Sequence, residues 1–374
     1  PDLVTRIVAV DQLAPPAPPA PAPAPAPAPA TASSPSVSEA TTHTGPVVEH
    51  RWLDLAHDQA DRLAPLVEGA TALIHLAWSH SDPESGSPVV APPAGTNGHA
   101  ARANLVALRR VLAAAADAAV LRVVHVSSAT VYGAWPDNPV PLAEDAALRP
   151  NPGFAFAVEK AESERILGEW SDDHPEVLVT ILRPTVTVGS SGPALYQALA
   201  GTRAPQPDDG GRPRQFLDVD DLASAILFSW EHGLHGVYNV APDGWISNDD
   251  ARALVGGVAR LTVPGRVAHG LAALGWRVLR TGTPKEALPY AVHPWVVAND
   301  RLRAAGWAPL RSNEEALVAS DDRSHWSDLP PSRRQEYALV VAATGLVALL
   351  AGTAAAGVAL VSRARARTAR RRAV

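Results

Sequence analysis

The stretch NPGFAFAVEKAESE, residues 151–164, has the composition of a helix and contains one residue capable of ionic chemistry, Lys160. Phe156 stands four residues earlier, which places it on the same helix face. A lysine ammonium can bind hydroxyl groups, whereas a phenyl ring has no titratable atom with which to take or give a proton. The chain has only two lysines against 30 arginines, so the presence of Lys160 in this helix indicates a functional residue.

Composition narrows the possible classes of protein. The 374 residues suffice for one large α/β domain or two smaller ones. A net charge of -6 argues against nucleic acid as a general partner. Cysteine is absent, which excludes disulfides and thiolate metal sites, and we expect no metal. Methionine is absent too, even at position 1, so we expect a fragment, a processed product or a wrongly assigned gene start.

Apolar runs of strand type alternate with helical segments through the first half of the chain. The strand-like runs are 3–10, 51–55, 70–78, 121–133 and 177–189, and the helical ones are 104–116 and 155–170. Such alternation predicts right-handed crossovers and a parallel sheet with helices on both faces. We therefore expect a Rossmann-like doubly wound α/β fold, followed by a smaller α/β lobe that covers the carboxyl ends of the strands.

A series of ordered landmarks gives the chain a recognisable signature. They are VAVD (8–11), LDL (53–55), HLAW (75–78), Asn104, VSSATVYG (126–133), FAVEK (156–160), ILRPTVTVG (181–189), FLDVDDLA (216–223) and GVYN (236–239). In this order the chain resembles, from Leu3 to Leu317, an extended short-chain dehydrogenase/reductase. The resemblance is to the NAD-dependent epimerase/dehydratase family, which includes UDP-galactose 4-epimerase.

The resemblance implies NAD as cofactor and a role for each matching residue. For the cofactor it implies Asp11 at the adenosine ribose, Asp54 at the adenine, Leu76 and Ala77 lining the ribose, Asn104 orienting backbone, Lys160 at the nicotinamide ribose and Pro184 beside the nicotinamide amide. For catalysis it implies Ser128 and Lys160, and for substrate it adds Arg183 and Arg214 to Ser128. Asp11 as a turn residue, Asn104 as a helix cap and the arginines as solvated or paired groups remain open alternatives.

Two departures from the family pattern qualify these roles. Phe156 stands where the family's YxxxK motif has the tyrosine whose phenol moves the proton, so binding is supported and ordinary proton transfer is not. The glycine-rich phosphate turn is also missing, because the chain begins about where the family's second strand begins. We expect roughly thirty further residues upstream, since a doubly wound sheet has its first strand at the centre.

Segment boundaries follow from composition and from the resemblance. We expect a remnant of the Rossmann domain (1–13), a Pro/Ala-rich disordered insertion (14–45), the NAD-binding domain (46–189), a substrate lobe (190–320), a linker (321–336), a transmembrane helix (337–361) and an Arg-rich tail (362–374). The 25 residues of 337–361 carry no charge and are long enough to span a bilayer. We expect the lobe at the cytoplasmic face of a bacterial membrane, where NAD is found, although six arginines after the span favour a cytoplasmic tail instead.

Three functions are compatible with the sequence. The first is an NAD-dependent oxidoreductase or isomerase that acts on a nucleotide sugar or a similar hydroxylated small molecule. The second is a membrane-tethered, catalytically silent module that binds NAD or a sugar nucleotide. The third is a membrane adaptor that uses the Pro-rich tract as a ligand. The resemblance also implies a possible homodimer, formed through helices that include 104–116 and 155–170.

Overall fold

A computed structural model describes residue 4 and residues 6–11, 47–55, 62–76, 78, 99–189, 211–254 and 287–320. The strands are β1 (Arg6–Asp11), β2 (Val47–Trp52), β3 (Ala72–His75), β4 (Arg122–Val126), β5 (Leu178–Pro184), β6 (Val186–Val188), β7 (Pro213–Arg214), β8 (Phe216–Asp218), β9 (Gly236–Val240) and β10 (Ile246–Ser247). The α-helices are α1 (Ala64–Val67), α2 (His99–Asp117), α3 (Ala155–Asp173), α4 (Val219–Glu231), α5 (Asn248–Leu254), α6 (Leu288–Val292), α7 (Asp300–Ala304) and α8 (Asn313–Ser320). A 3₁₀ helix covers Ala129–Tyr132.

The expected parallel sheet is confirmed. Strands β3, β4, β5 and β9 form a four-stranded sheet in the order β3-β4-β5-β9, and all three pairings are parallel. Strands β1 and β2 pair with each other in parallel as a separate two-stranded sheet. Among the described strands none lies between β1 and β3, and the expectation of a further upstream strand stays a prediction.

Alternation of side chains along the strands builds a core on each face of the main sheet. On β4, Val123 packs into a cluster with residues of helices α2 and α3, whereas its neighbour Val124 packs into another with residues of helix α4. The two faces are thus covered by different helices, as a doubly wound arrangement requires. Val10 of β1 joins the main body through a third cluster, which includes Val111 of α2.

The carboxyl-terminal half of the chain also contains short strands that pair outside the main sheet. Strands β6 and β8 pair in parallel, and β7 and β10 form an antiparallel pair of two residues each. Residues of these strands, such as Phe216 and Ile246, share one core cluster with Tyr290 of α6 and with the segment after β4.

Several expected segments lie outside the described residues. They are the Pro/Ala-rich insertion, the linker, the apolar run 337–361 and the Arg-rich tail. In the part of the chain that the structure does describe, no helix combines the length and apolar character needed to cross a bilayer. The transmembrane helix at 337–361 therefore stays a prediction.

Candidate cofactor and catalytic site

Most of the sequence-predicted site residues lie at the carboxyl ends of parallel strands. Asp11 ends β1, Asp54 follows β2, Leu76 follows β3, Ser128 follows β4 and Pro184 ends β5. In open α/β sheets this edge is where ligands bind. The side chain of Asp11 and all of Ala77 fall outside the described residues, so their cofactor roles stay predictions.

Lys160 reaches this edge from helix α3. Its side chain is 4% exposed, and its Nζ donates a 2.8 Å hydrogen bond to the carbonyl oxygen of Val126, the last residue of β4. Since Ser128 comes two residues after Val126, the two residues expected to act together are neighbours in the fold. The ring of Trp78 lies over the ammonium, with 3.8 Å between Nζ and the ring centroid.

The electrostatic environment of Lys160 differs from that of a surface lysine. Burial lowers the pKa of Lys160 from 10.5 to about 7, because water that would solvate the ammonium is excluded. The negative charges of Glu164 and Glu159 oppose this fall but do not cancel it. An amine with this pKa exchanges its proton near neutral pH.

Ser128 combines a structural role with a free donor. It is the N-cap of the 3₁₀ helix, where its Oγ accepts hydrogen bonds from the backbone nitrogen of Thr130 at 3.2 Å and from Thr130 Oγ1 at 2.9 Å. A serine hydroxyl can accept two bonds and still donate one. No acceptor for that remaining hydrogen is found among the described residues, so it is available to a ligand.

Phe156 is part of an aromatic core. It is 4% exposed, its ring centroid lies 5.8 Å from that of Phe154, and Phe154 in turn lies 5.1 Å from Tyr290. Tyr132, the conceivable replacement donor, already binds elsewhere: its hydroxyl donates to Asn239 Oδ1 at 2.8 Å. The phenol of Tyr132 is therefore not free to act in the place of the missing one.

Asn104 makes a contact that the sequence did not indicate. Its side-chain nitrogen donates a 3.0 Å hydrogen bond to Glu159 Oε2, which joins helix α2 to helix α3. Burial raises the pKa of Glu159, opposed by this hydrogen bond and by the Lys160 ammonium. This hydrogen bond makes Asn104 a link between the two helices. Its expected role in orienting backbone at the site stays a prediction.

A buried histidine pair beneath α3 was also missed. The Nδ1 atoms of His75 and His125 are 2.9 Å apart, and His125 Nε2 lies 3.1 Å from Ser163 Oγ. Ser163 donates its only hydrogen to the carbonyl of Lys160, so it accepts one from His125 Nε2. His125 Nδ1 then accepts from His75, whose Nε2 keeps a buried lone pair with no partner in the described structure.

Both histidines are held neutral. Burial first, and then the Lys160 ammonium, lower the pKa of His75 to about 3 and hold the pKa of His125 well below its ordinary value. The sequence signal was two histidines inside otherwise apolar strands, a pattern that requires buried hydrogen-bond partners. The chain they form fixes the backbone carbonyl of Lys160.

Arg183 and Arg214, expected at the substrate, already have protein partners. Arg183 Nη2 donates to Glu164 Oε2 at 2.6 Å and its Nη1 to the hydroxyl of Tyr132 at 2.7 Å. Arg214 donates to the backbone carbonyls of Tyr290 and Ala291 at 3.1 and 3.0 Å. These bonds explain the burial of both guanidinium groups without a ligand, and their substrate roles stay predictions.

The fold and the strand-end residues define a Rossmann-like α/β protein. The chain belongs to the NAD dependent epimerase/dehydratase family, whose sequence model matches residues 30–241, more than half of the chain.

Curated relatives of the chain include Uncharacterized protein Rv0501 of Mycobacterium tuberculosis and Uncharacterized protein Mb0513 of Mycobacterium bovis. Each is 27% identical over 230 residues, which is 61% of this chain and 61% of the relative. The matched region thus spans less than two thirds of those proteins, and their names state no activity.

Solved structures share the fold at low identity. MoeE5 in complex with UDP-glucuronic acid and NAD has a TM-score of 0.53 at 17% identity, over 85% of this chain and 90% of that one. The UDP-glucose 4-epimerase of Thermus thermophilus in complex with NAD has a TM-score of 0.53 at 19% identity, over 74% and 84%. The dTDP-glucose 4,6-dehydratase of Bacillus anthracis in complex with NAD has a TM-score of 0.53 at 16% identity, over 74% and 79%.

Proposed function

We propose that this chain binds NAD along the carboxyl edge of its parallel sheet and serves an oxidoreduction or isomerisation of a nucleotide sugar or a similar hydroxylated substrate. The observation that carries the proposal is the buried Lys160, whose ammonium meets the end of β4 two residues before Ser128. Membership of the family supports it, and so do the solved neighbours, whose titles name NAD together with enzymes of nucleotide sugars.

Three polar groups at this edge could bind a ligand with hydroxyl groups, such as the ribose part of a dinucleotide. Thr185, directly after Pro184, has a buried Oγ1 without a hydrogen-bond partner in the described structure. Lys160 makes a single hydrogen bond there, so its ammonium has hydrogens left to donate. Ser128 has its own hydroxyl hydrogen left. Unsatisfied buried polar groups are costly, and a polar ligand at this edge would relieve that cost.

The chain's own groups would divide the work as follows. NAD, when bound, supplies a carbon that accepts or returns hydride. Lys160 would bind a ribose hydroxyl, and Ser128 would donate its hydrogen to the reacting oxygen of the substrate. Phe156 moves no proton, so the proton would pass instead to a substrate group or to water.

A second function is favoured by a specific observation, the complete lack of a free phenol near Lys160 within the described residues. Phe156 is buried against other rings, and the hydroxyl of Tyr132 is already bonded. The alternative is a catalytically silent module that binds NAD or a sugar nucleotide.

In either case we propose that 337–361 tethers the protein to a bacterial membrane with the folded lobe at its cytoplasmic face. Thiol labelling of an added C-terminal cysteine in intact cells would test that side.

Calorimetry of the full chain with NAD, followed by turnover assays on a panel of nucleotide sugars, tests the function. We expect NAD binding that Lys160→Ala weakens and that Lys285→Ala, at the chain's other lysine, leaves unchanged. Turnover lost in Lys160→Ala supports the enzyme. Binding without turnover, together with no gain from Phe156→Tyr, supports the silent module. A full chain that does not bind NAD at millimolar concentration refutes the enzyme, and one that binds neither NAD nor any nucleotide sugar of the panel refutes both functions.

A further inference from the structure

The end of β4 is hydrogen-bonded to helix α3 at three successive residues. The bonded pairs, each with its β4 or following residue first, are His125 and Ser163 at 3.1 Å, Val126 and Lys160 at 2.8 Å, and Ser127 and Glu164. We call these the β4–α3 bonds. The next residue in the chain is Ser128, so the series ends directly before the second residue of the proposed site.

The periodicity of each element brings these residues to one interface. Side chains alternate along a strand, so His125 and Ser127 lie on the same face of the sheet as Val123. Val123 shares a core cluster with Leu167 of α3. The three bonded α3 residues and Leu167 follow the spacing i, i+3, i+4 and i+7, which defines one face of a helix. The β4–α3 bonds therefore lie beside apolar contacts of the same two elements.

The polar and apolar contacts constrain the helix differently. Burial of Val123 with Leu167 is non-directional and depends on the area removed from water. A hydrogen bond needs its donor and acceptor within about 3 Å and near alignment, so a slide of about 1 Å along β4 weakens it. The same slide would move Lys160 Nζ away from the end of β4. The polar bonds thus favour the one position of α3 that places Lys160 next to the segment of Ser128.

The bonds of the two serines also reach beyond a single pair of residues. Ser163 is 0% exposed, and besides facing His125 it donates a 2.7 Å hydrogen bond to the carbonyl of Lys160. Ser127 is 1% exposed, and its acceptor Glu164 is bonded to Arg183 of β5. Each serine therefore connects α3 to a sheet residue that has partners of its own.

We propose that Ser163 and Ser127 are positioning residues, whose bonds between α3 and the end of β4 set the place of Lys160 beside Ser128. The inference rests on the proposed function, because the pair that is positioned is the pair proposed to meet cofactor and substrate. It goes further by assigning a role to two buried serines that act through other residues.

Three serine-to-alanine substitutions in the full chain separate this role from a merely structural one. Ser163→Ala and Ser127→Ala each remove one of the β4–α3 bonds. Ser229→Ala is the matched control: Ser229 is 1% exposed, and its hydroxyl donates to the carbonyl of Ala225 in its own helix α4. Among the described residues its side chain bonds to no other element. All three variants should lower the urea midpoint, because each loses a buried hydrogen bond.

The titration of Lys160 reports its position without any ligand. Lysine labelled at Cε gives two NMR signals, because the chain has only two lysines, and Lys285→Arg assigns them. Burial lowers the pKa of Lys160 to about 7. We expect Ser163→Ala and Ser127→Ala to raise this pKa toward 10.5 as water reaches the ammonium, and Ser229→Ala to leave it unchanged.

A changed pKa in these variants reports position and not a lost charge. The titratable groups that act on Lys160 or are acted on by it are the same in all four proteins, namely Glu159, Glu164, His75 and His125. Equal pKa values in the four proteins would refute the inference. So would an equal rise in Ser229→Ala, which would trace the effect to lost stability. A wild-type pKa near 10.5 would refute it too, because an ammonium solvated to that extent is not held against β4.

Calorimetry with NAD then connects position with binding. We expect Ser163→Ala and Ser127→Ala to bind NAD roughly 2- to 10-fold more weakly than the wild type, since one lost hydrogen bond can transmit no more than its own free energy. Ser229→Ala should bind like the wild type. Unchanged affinity in the first two variants would overturn the positioning role and leave the proposed function standing. If none of the four proteins binds NAD, the proposed cofactor fails and the positioning of its site fails with it, even where the pKa of Lys160 shifts.

Discussion

Replacing Lys160 by methionine should stabilise the protein while it removes cofactor binding. Methionine is an unbranched, apolar side chain of similar length, so it can fill the same space between α3 and β4. The substitution removes a 4% exposed ammonium whose only hydrogen bond within the described residues is with Val126. Functional residues often reduce stability in this way, since a site needs groups that the core does not.

The magnitude follows from the pKa of Lys160. A fall from 10.5 to about 7 corresponds to roughly 5 kcal/mol of preference for the neutral form, at about 1.36 kcal/mol per pKa unit. At pH 7 Lys160 is fully protonated in the unfolded chain, so nearly all of this free energy opposes folding. Loss of the hydrogen bond to the Val126 carbonyl lowers the free energy of unfolding by about 1–2 kcal/mol, which offsets part of this gain. We therefore expect Lys160→Met to raise the free energy of unfolding at pH 7 by about 2–3 kcal/mol.

The sign of the pH dependence provides the control. Because the folded pKa of Lys160 is lowered, its stability contribution is complete above pH 10.5 and is lost as the pH falls from 10.5 to about 7. Between pH 7 and 9.5 the free energy of unfolding of the wild type should therefore rise by about 3 kcal/mol relative to that of Lys160→Met. Urea unfolding of both proteins at the two pH values measures this. Parallel profiles, or a variant less stable than wild type at pH 7, would show that the ammonium is not desolvated as described.

Two other substitutions test the scaffold. Glu164→Gln leaves the buried Arg183 guanidinium without its carboxylate and should cost about 3–5 kcal/mol in urea unfolding, and a loss under 1 kcal/mol would contradict the buried pair. Gly133→Ala should lower the melting temperature, because Gly133 has a φ of +71° and an added methyl group would overlap the Arg149 carbonyl. Gly168→Ala, in α3 with nothing near the added methyl, should instead gain about 0.5–1 kcal/mol, and equal effects of the two would refute this reasoning.

The order of elements could be predicted from the sequence, because strand-like and helical runs alternate along it. The roles expected of Ser128 and Lys160 came from the family resemblance instead, and they stay predictions; the structure adds that the Lys160 ammonium bonds the Val126 carbonyl two residues before Ser128. The antiparallel pair of β7 and β10 could not be found in the same way. Strands of two residues have no alternation to read, and only their packing defines them.

Contacts between helices and across the sheet could not be predicted from the sequence, for a different reason. The Asn104–Glu159 bond depends on the angle at which α2 meets α3, and the indole over Lys160 depends on the course of the chain after β3. Glu164 was not predicted either, although its position gave a clearer signal. It lies one helical turn after Lys160, on a face that turns inward, where a carboxylate requires a cationic partner such as Arg183.

The state of Lys160 bears on both proposed functions. A buried ammonium with a pKa near 7 is expensive to keep, because the nearby charges of Glu164 and Glu159 only partly offset the burial. The cost is understandable if the ammonium serves a ligand. Phe156, in contrast, is buried in the aromatic core and has no titratable atom with which to transfer a proton. If Lys160 binds the cofactor as proposed, binding by Lys160 and proton transfer at position 156 are separable, and NAD binding without turnover would be the expected result of keeping only the first.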